Sequence, residues 1–130
     1  PRCNDLLLGR KSKYAYHPRV AKESTLLFDG FIKYNTQTGA GQHVVYGEGK
    51  IGGETVFVPA KGATPNLVEN GIVAEDDGYV MSLVQDRIQG RSELVIYSAS
   101  TLDLLARVVA PRRVPFGFHA EWAPHDGLYS

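Results

Sequence analysis

The amino-acid sequence predicts an all-β fold, arranged as an antiparallel meander. Strand-like runs of five to nine residues are rich in β-branched and aromatic side chains, and turns separate them at intervals of 8 to 13 residues. No stretch keeps a capped helical period over ten residues; the nearest, 100–109, is interpreted as mostly strand. A sandwich, a barrel or the four-stranded blades of a propeller fit this pattern equally, because no internal repeat distinguishes them.

The first third of the chain predicts a short strand followed by a hairpin. Aromatic residues at 14–16 indicate the short strand, and the His-Pro pair at 17–18 is expected to close it. The run F-D-G-F-I-K-Y-N at 28–35 has the composition of a strand. A turn at 36–41 then leads to the returning strand at 42–46.

The rest of the chain predicts a flexible joint, a strand, a long loop and a second meander. Glycine-rich residues 47–53 form the joint, and the apolar run after them ends at a proline. The predicted elements are, in order, a strand at 54–59, a polar loop at 60–76, a strand at 77–85, a turn at 86–90, a strand at 91–97, a turn at 98–103 and a strand at 104–109.

Composition argues against several classes of partner. The 130 residues carry 14 Lys and Arg and 14 Asp and Glu, so net charge favours neither nucleic acid nor an anionic membrane surface. The lone cysteine, Cys3, cannot form an intramolecular disulfide, which fits a reducing compartment. No apolar run approaches the roughly 18 residues of a membrane span. Because the chain lacks an initial Met and a leader-like segment, we expect a fragment of a longer protein, compatible with cytoplasm or plastid.

Three of the four histidines are interpreted as surface or edge residues. His17 precedes a proline, His43 lies within the predicted hairpin, and His125 lies in a polar tail. They lack the i, i+4 or C-x-x-C type of spacing that supports a metal site.

His119 differs because it ends a stiff segment, P-R-R-V-P-F-G-F-H at 111–119, whose two prolines restrict the backbone. Its neighbours Phe116, Phe118 and Trp122 are aromatic. A neutral imidazole suits iron, zinc or copper, but the chain offers no complete set of ligands. The residues alone therefore leave two interpretations open, a core histidine, which is slightly favoured, and a metal ligand.

The motifs of common hydrolases and nucleotide-binding enzymes are absent from the sequence. Two acidic features of the sequence stand out instead. Glu54 opens the apolar run T-V-F-V after two glycines that let the backbone approach another group closely. The simpler interpretation of Glu54 is a carboxylate at a strand edge. The run E-D-D-G at 75–78 is typical of a solvated turn and lacks the alternating oxygen ligands of a calcium loop.

Four segments, taken together, resemble the C-terminal part of the carotenoid cleavage oxygenase family. Their order and spacing are highly specific, and the G-R-K and Y-A-Y runs within 9–16 match the family as well. The resemblance covers the chain from residue 1 to Trp122. The four segments are G-G-E-T-V-F-V-P at 52–59, E-D-D-G-Y-V at 75–80, G-R-S-E-L-V-I at 90–96 and R-V-P-F-G-F-H at 113–119.

This resemblance implies a fold and a metal site. Family members are seven-bladed β-propellers, so residues 1–130 would be the C-terminal part of a single propeller catalytic domain and would form its last blades. A non-haem Fe(II) ion on the propeller axis is held by four histidines; three lie in upstream blades, and the fourth falls on His119. Glutamates accept a hydrogen bond from the other ring nitrogen of such histidines. One of them falls on Glu54, which we expect to orient a sister histidine.

The resemblance also implies an oxidoreductase reaction. O₂ cleaves a conjugated C=C bond of a carotenoid or apocarotenoid, which gives aldehyde or ketone products. Phe116, Phe118 and Trp122 would line an apolar tunnel for a polyene or stilbenoid substrate. The chain alone, with one iron ligand, is expected to be inactive, and peripheral membrane contact for substrate uptake would involve regions outside it. Three alternatives stay open: stilbene cleavage, retinoid isomerohydrolysis, and a propeller that serves only as an interaction module.

Overall fold

The structure, a computed structural model, describes residues 1–124 and confirms the all-β meander. Within these residues, eight strands form one antiparallel sheet, and the helical parts are a 3₁₀ turn at Asp5–Leu7 and one short helix. His125 lies outside the described residues, so its interpretation as a surface residue stays a prediction. The elements are β1 (Tyr14–Val20), β2 (Phe28–Asn35), β3 (Gly41–Val45), β4 (Lys50–Gly52), β5 (Val56–Pro59), α1 (Pro65–Glu69), β6 (Gly78–Asp86), β7 (Arg91–Ser98) and β8 (Leu104–Val109).

The first meander consists of β1, β2 and β3, which pair in chain order. One edge of β2 pairs with β1, beginning at Tyr14 opposite Asn35. Its other edge pairs with β3, from Gly30 opposite Val45 to the turn. The hairpin predicted over 28–46 is therefore confirmed.

β1 continues through Pro18, although the sequence predicted that the His-Pro pair would end this strand. The backbone N–H and C=O of Tyr16 pair with Arg2, on the edge of β1 that faces away from β2 (2.7 and 2.8 Å). Pro18 lies two residues further on, so its nitrogen faces the same outer edge. The prediction is wrong because the β1–β2 ladder needs no N–H at that position.

β4 joins the two meanders of the sheet. It pairs with β2 through Gly52 opposite Phe28, and with β6 through Ile51 opposite Gln85. The prediction of a flexible joint over 47–53 is wrong for these strand residues. Ile51 is buried, and pairing on both edges orders the backbone around it.

The second meander consists of β5, β6, β7 and β8, again in chain order. It matches the strands predicted from the second half of the sequence. The stretch 100–109, which was the nearest helical alternative, contains β8 and its preceding turn. That interpretation as mostly strand is confirmed.

The predicted polar loop at 60–76 contains one turn of helix, α1. The Thr64 side chain caps it by accepting a hydrogen bond from the Leu67 N–H, and Pro65 occupies its first turn. Five residues are too few to show a helical period in the sequence. Among the described residues, no helix combines the length and apolar character required to cross a bilayer.

Side chains from both meanders meet in one apolar core. Tyr16 of β1 stacks on Phe57 of β5, with ring centroids 5.5 Å apart. Phe31 of β2 meets Tyr97 of β7 edge-on at 5.3 Å. The two meanders are therefore held together by aromatic packing as well as by β4. The cluster comprises Tyr16, Phe31, Tyr46, Phe57, Val80, Val84, Val95, Tyr97 and Ala99.

Glu75 lies in the turn that the sequence predicts, but its side chain is an anchor. Its carboxylate accepts hydrogen bonds from the backbone N–H groups of Lys13 (2.9 Å) and Tyr14 (2.8 Å), and from the Ser12 hydroxyl (2.7 Å). The neighbouring Asp76 pairs with the buried Lys33 ammonium at 2.6 Å. The predicted turn is confirmed, and Asp77 is exposed. The prediction that the run is solvated is wrong for its first two acids, because they bind the first meander to the start of β6.

Glu93 of the G-R-S-E segment is fully buried among cations. Its carboxylate contacts Arg91 (2.7 Å), Arg107 (3.1 Å) and Lys50 (3.3 Å). Burial alone raises the pKa of Glu93, but the hydrogen bonds from these three cations outweigh it and hold the pKa below its usual range. The motif therefore serves the fold, by joining β4, β7 and β8.

Replacing Glu75 by Gln should destabilise the protein. The change removes the charge and leaves the three donors of the 12–14 segment with a weaker acceptor, at a cost of about 1–3 kcal/mol. We expect a lower midpoint of urea-induced unfolding of the full-length protein with an unchanged slope. Asp77→Asn is the matched control, because the Asp77 side chain is exposed next to the same site. Equal midpoints for the two variants would contradict the anchoring role.

Candidate metal centre

The segment that follows β8 crosses the face of β6 and β7 opposite the core. Gln85 and Ser92, which face each other in the β6–β7 register, hold it at Val114. The Val114 N–H donates to Ser92 Oγ (2.8 Å), and the Gln85 side-chain amide donates to the Val114 carbonyl. Ser92 Oγ in turn donates to Gln85 Oε1 (2.8 Å). These side chains fix the start of the segment that carries His119.

Further along, the segment meets the turn between β4 and β5, backbone to backbone. A Cβ atom added to Gly53 would lie 3.1 Å from the Gly117 carbonyl oxygen. Both glycines make the close approach that the sequence predicts: Gly52 to the ring of Tyr46, and Gly53 to this segment. The approach of Gly53 brings the next residue, Glu54, beside the end of the segment.

Glu54 and His119 lie side by side at this point. Glu54 Oε2 accepts a hydrogen bond from the Ala120 N–H (2.9 Å) and lies 3.6 Å from His119 Nδ1. The Glu54 side chain is 13% exposed and that of His119 81% exposed. We expected Glu54 to orient a sister histidine, whereas the imidazole beside it here is that of His119.

Arg2 lies on the other side of the Glu54 carboxylate. Its Nε is 3.4 Å from Glu54 Oε1, and its guanidinium donates a hydrogen bond to the Ala120 carbonyl. Sequence reasoning missed this residue. No local pattern marks Arg2, and the contact spans 118 positions of the chain.

These neighbours keep Glu54 ionised. Partial burial alone raises the pKa of its carboxyl, but the Ala120 N–H donor and the charge of Arg2, with His119 close by, outweigh that effect. The net result is a pKa of Glu54 below its ordinary value. The site therefore presents a fixed negative charge towards Nδ1 of His119.

A negative charge at Nδ1 suits a histidine that binds a metal ion. It favours the tautomer with the proton on Nδ1, which leaves the lone pair of Nε2 free for coordination. The donor chemistry therefore fits one imidazole ligand. Within residues 1–124, no three His, Cys, Asp or Glu side chains converge to hold a metal ion by themselves.

The three aromatic residues assigned to a substrate tunnel lie in three different surroundings. Trp122 borders a cleft of about 180 Å³, and Phe118 meets the His119 ring edge-on at 5.1 Å. Phe116 instead lines a separate hollow with Arg113 and Pro115. The cleft is lined mainly by apolar side chains on the sheet face opposite the core, and its wall includes Val56, Val58, Met81, Leu83 and Leu94.

The other two described histidines lie elsewhere on the fold. His17 is half-buried on β1, where its ring meets Tyr34 edge-on at 5.1 Å, and burial lowers its pKa. His43 is exposed on β3. Neither residue contacts Glu54, which agrees with their interpretation as edge or surface histidines.

The fold and this pair of residues define an all-β protein with a histidine and a carboxylate side by side on one sheet face. The sequence profile of the family described as retinal pigment epithelial membrane protein matches residues 1–124. The chain belongs to this family, which includes the carotenoid cleavage oxygenases that its motifs resemble.

Similar sequences include a zeaxanthin 7,8(7′,8′)-cleavage dioxygenase from Crocus sativus, 39% identical over 94% of this chain and 33% of the relative. A carotenoid cleavage oxygenase of Mycobacterium tuberculosis is 33% identical over 95% of this chain and 24% of its own length. A chloroplastic 9-cis-epoxycarotenoid dioxygenase of Arabidopsis thaliana is 33% identical over 96% of this chain and 20% of the relative. The chain therefore spans a third or less of these relatives.

Solved structures agree with the sequence comparison. The apocarotenoid oxygenase of Synechocystis, in a cobalt-substituted form, has a TM-score of 0.73 and 28% identity, over 88% of this chain and 23% of that one. A chimera of that oxygenase and the retinal pigment epithelial protein has a TM-score of 0.72 and 26% identity, with the same coverage. These structures are β-propellers, so the predicted fold class is confirmed.

Replacing Ser92 by Ala should loosen the segment that carries His119. The Val114 N–H loses its acceptor, and a hydrogen bond worth about 1 kcal/mol corresponds to roughly fivefold faster amide exchange at that position. Hydrogen–deuterium exchange of the full-length protein, resolved to the 112–118 peptide, measures this. Ser100→Ala, in the exposed turn before β8, should leave the peptide unchanged. Unaltered exchange in Ser92→Ala would show that the hydroxyl does not hold the segment.

Proposed function

We propose that this chain is the C-terminal part of an Fe(II)-dependent dioxygenase that cleaves a conjugated C=C bond of carotenoids or apocarotenoids with O₂. Residues 1–130 would belong to a single propeller catalytic domain and form its last blades. The observation that carries the proposal is the contact between the Glu54 carboxylate and His119 Nδ1, at 3.6 Å. It occurs in a chain whose relatives are named as carotenoid dioxygenases.

His119 would serve as one iron ligand through Nε2. Glu54 would hold the proton on Nδ1 and offset the charge of the metal, while the coordination positions stay open because the carboxylate itself is not a ligand. When bound, the iron supplies the redox chemistry by which O₂ oxidises an alkene. The cobalt-substituted form of the Synechocystis oxygenase supports a divalent metal in the family site.

The apolar cleft beside the pair supports a hydrocarbon substrate. Trp122 and the wall that includes Val56 and Leu94 offer a dry, mostly apolar surface, which suits a polyene and keeps water from it. The polar residues that line the cleft are Glu54, Ser82 and Glu121, and of these Glu54 lies beside the imidazole of His119. Phe118, edge-on to His119, would border the bond to be cleaved.

Replacing His119 by Ala should abolish both metal binding and cleavage. The full-length protein is purified with Fe(II), its iron is measured by atomic emission, and carotenoids and apocarotenals are incubated with it under O₂. The wild type should yield aldehyde or ketone products, and His119→Ala should fall to background in both iron content and product. The loss follows because the variant removes the ligand that this chain would contribute, and within residues 1–124 no three His, Cys, Asp or Glu side chains converge to hold the ion instead.

His43→Ala is the matched control, since His43 is exposed on β3 and remote from Glu54. It should keep the iron content and product yield of the wild type. Unchanged iron in His119→Ala would rule out the ligand role. A wild type that binds iron yet cleaves neither class of substrate would rule out the proposed substrate class.

Replacing Glu54 by Gln should weaken iron binding without removing it. Glutamine keeps the size and an acceptor oxygen but loses the charge that favours the Nδ1–H tautomer, and such changes typically cost about 10–100-fold in metal affinity or activity. Competition with a chelator measures the affinity. Glu121→Gln, an exposed carboxylate on the same cleft, should have little effect. Equal affinities for the two variants would reject the orienting role of Glu54.

A further inference from the structure

We propose that Arg2 is a positioning residue of this centre, which turns the Glu54 carboxylate towards His119 and holds the backbone next to that histidine. The inference rests on the proposed function, because it assigns Arg2 a role at the same iron site. Arg2 does not reach His119 itself. Its contacts are with Glu54 and with Ala120.

Three groups form a closed ring of contacts. The Arg2 guanidinium pairs with Glu54 Oε1 at 3.4 Å and donates to the Ala120 carbonyl. The Ala120 N–H donates to Glu54 Oε2 at 2.9 Å. The peptide groups on both sides of Ala120 are therefore engaged, and one of them is the group that joins Ala120 to His119.

In this ring, the two oxygens of the Glu54 carboxylate have different partners. Oε1 faces the guanidinium, which leaves Oε2 for the Ala120 N–H and for His119 Nδ1. Arg2 Nε is buried and makes no hydrogen bond, so the Glu54 oxygen is the anion that faces it. Without Arg2, Glu54 would lose the cation that sets its rotation, and the Ala120 carbonyl would lose the guanidinium as its hydrogen-bond donor.

Arg2 can act in this way because its backbone is fixed to the core. Its N–H and C=O both pair with Tyr16, at 2.8 and 2.7 Å. Tyr16 is 1% exposed and stacks on Phe57, three residues after Glu54. The guanidinium therefore starts from a rigid point of the sheet and reaches two partners in other parts of the chain.

The two partners explain why arginine suits the position. A guanidinium presents several donors in a fixed plane, so it can meet a carboxylate and a carbonyl at the same time. A lysine ammonium at the same place would keep the charge opposite Glu54 but not the planar geometry. Arg2→Lys should therefore be intermediate between the wild type and a neutral variant.

The test is a double-mutant cycle in the full-length protein, with iron affinity measured by competition with a chelator. Arg2→Met should weaken iron binding about tenfold, at the low end of the effect of groups that orient metal ligands. In the Glu54→Gln background the same change should cost no more than about twofold, because the coupled pair is already broken. The visible absorption of the Co(II)-substituted protein should shift in Arg2→Met as it does in Glu54→Gln.

Arg19→Met is the matched control. Arg19 forms an ion pair with Asp29 on the same meander, and its side chain is 30% exposed against 28% for Arg2. It should leave both the iron affinity and the cobalt spectrum unchanged. If Arg2→Met and Arg19→Met lose the same iron affinity, the loss comes from removing a half-buried arginine and the positioning role of Arg2 is rejected.

The outcomes separate this inference from the proposed function. If His119→Ala releases iron but Arg2→Met binds iron as tightly as the wild type, the role of Arg2 is overturned and the proposed function stands. Additive losses in the cycle would also overturn it. If His119→Ala keeps its iron, the proposed function itself fails. If Arg2→Met does not fold, the cycle is run with Arg2→Lys. The coupling is rejected if Arg2→Lys lowers the iron affinity by the same factor in the wild type and in the Glu54→Gln background.

Discussion

The stacking of Tyr16 on Phe57 is the contact on which the arrangement of this protein depends. It lies in the core between the two meanders, where both rings are almost fully buried. Tyr16 pairs through its backbone with Arg2, and Phe57 follows Glu54 by three residues. Aromatic packing in the core therefore sets the spacing of the charged groups at the surface. The same hydrophobic contact that stabilises the fold aligns the two sides of the candidate centre.

The family motifs divide into those that hold the sheet together and those that build the centre. Glu75 ties the beginning of β1 to the beginning of β6, and Glu93 joins three cations of β4, β7 and β8. Both carboxylates are sheltered and fully engaged, which leaves them no capacity to bind a ligand. The third glutamate of these motifs, Glu54, has one oxygen turned to an exposed imidazole. A carboxylate that is buried and has all its oxygens paired serves the structure, whereas a carboxylate with an oxygen facing a free group is available for chemistry.

The local structure could be predicted well from the sequence, because strand composition and turn residues act over a few positions. The strands of both meanders and the turn before β8 follow from such patterns. Glu54 and His119 became the favoured site residues only through the resemblance of their motifs to the family. The errors have equally local causes. Pro18 was expected to end β1, yet its position on the outer edge of the strand makes its missing N–H harmless. Residues 50–52 were read as a joint from their glycine-rich neighbours, although pairing on both edges makes them a strand.

By itself, the sequence determined the fold class, the family and the identity of the two residues that suggest a metal centre. Tertiary structure alone decided that Glu54 stands beside His119, and that Arg2 completes the arrangement. The hydrogen bonds that fix this arrangement join Glu54 to Ala120, 66 positions apart, and Arg2 to Ala120, 118 positions apart. No periodicity extends over such distances, since they arise only when aromatic packing brings two meanders and a returning segment to one point.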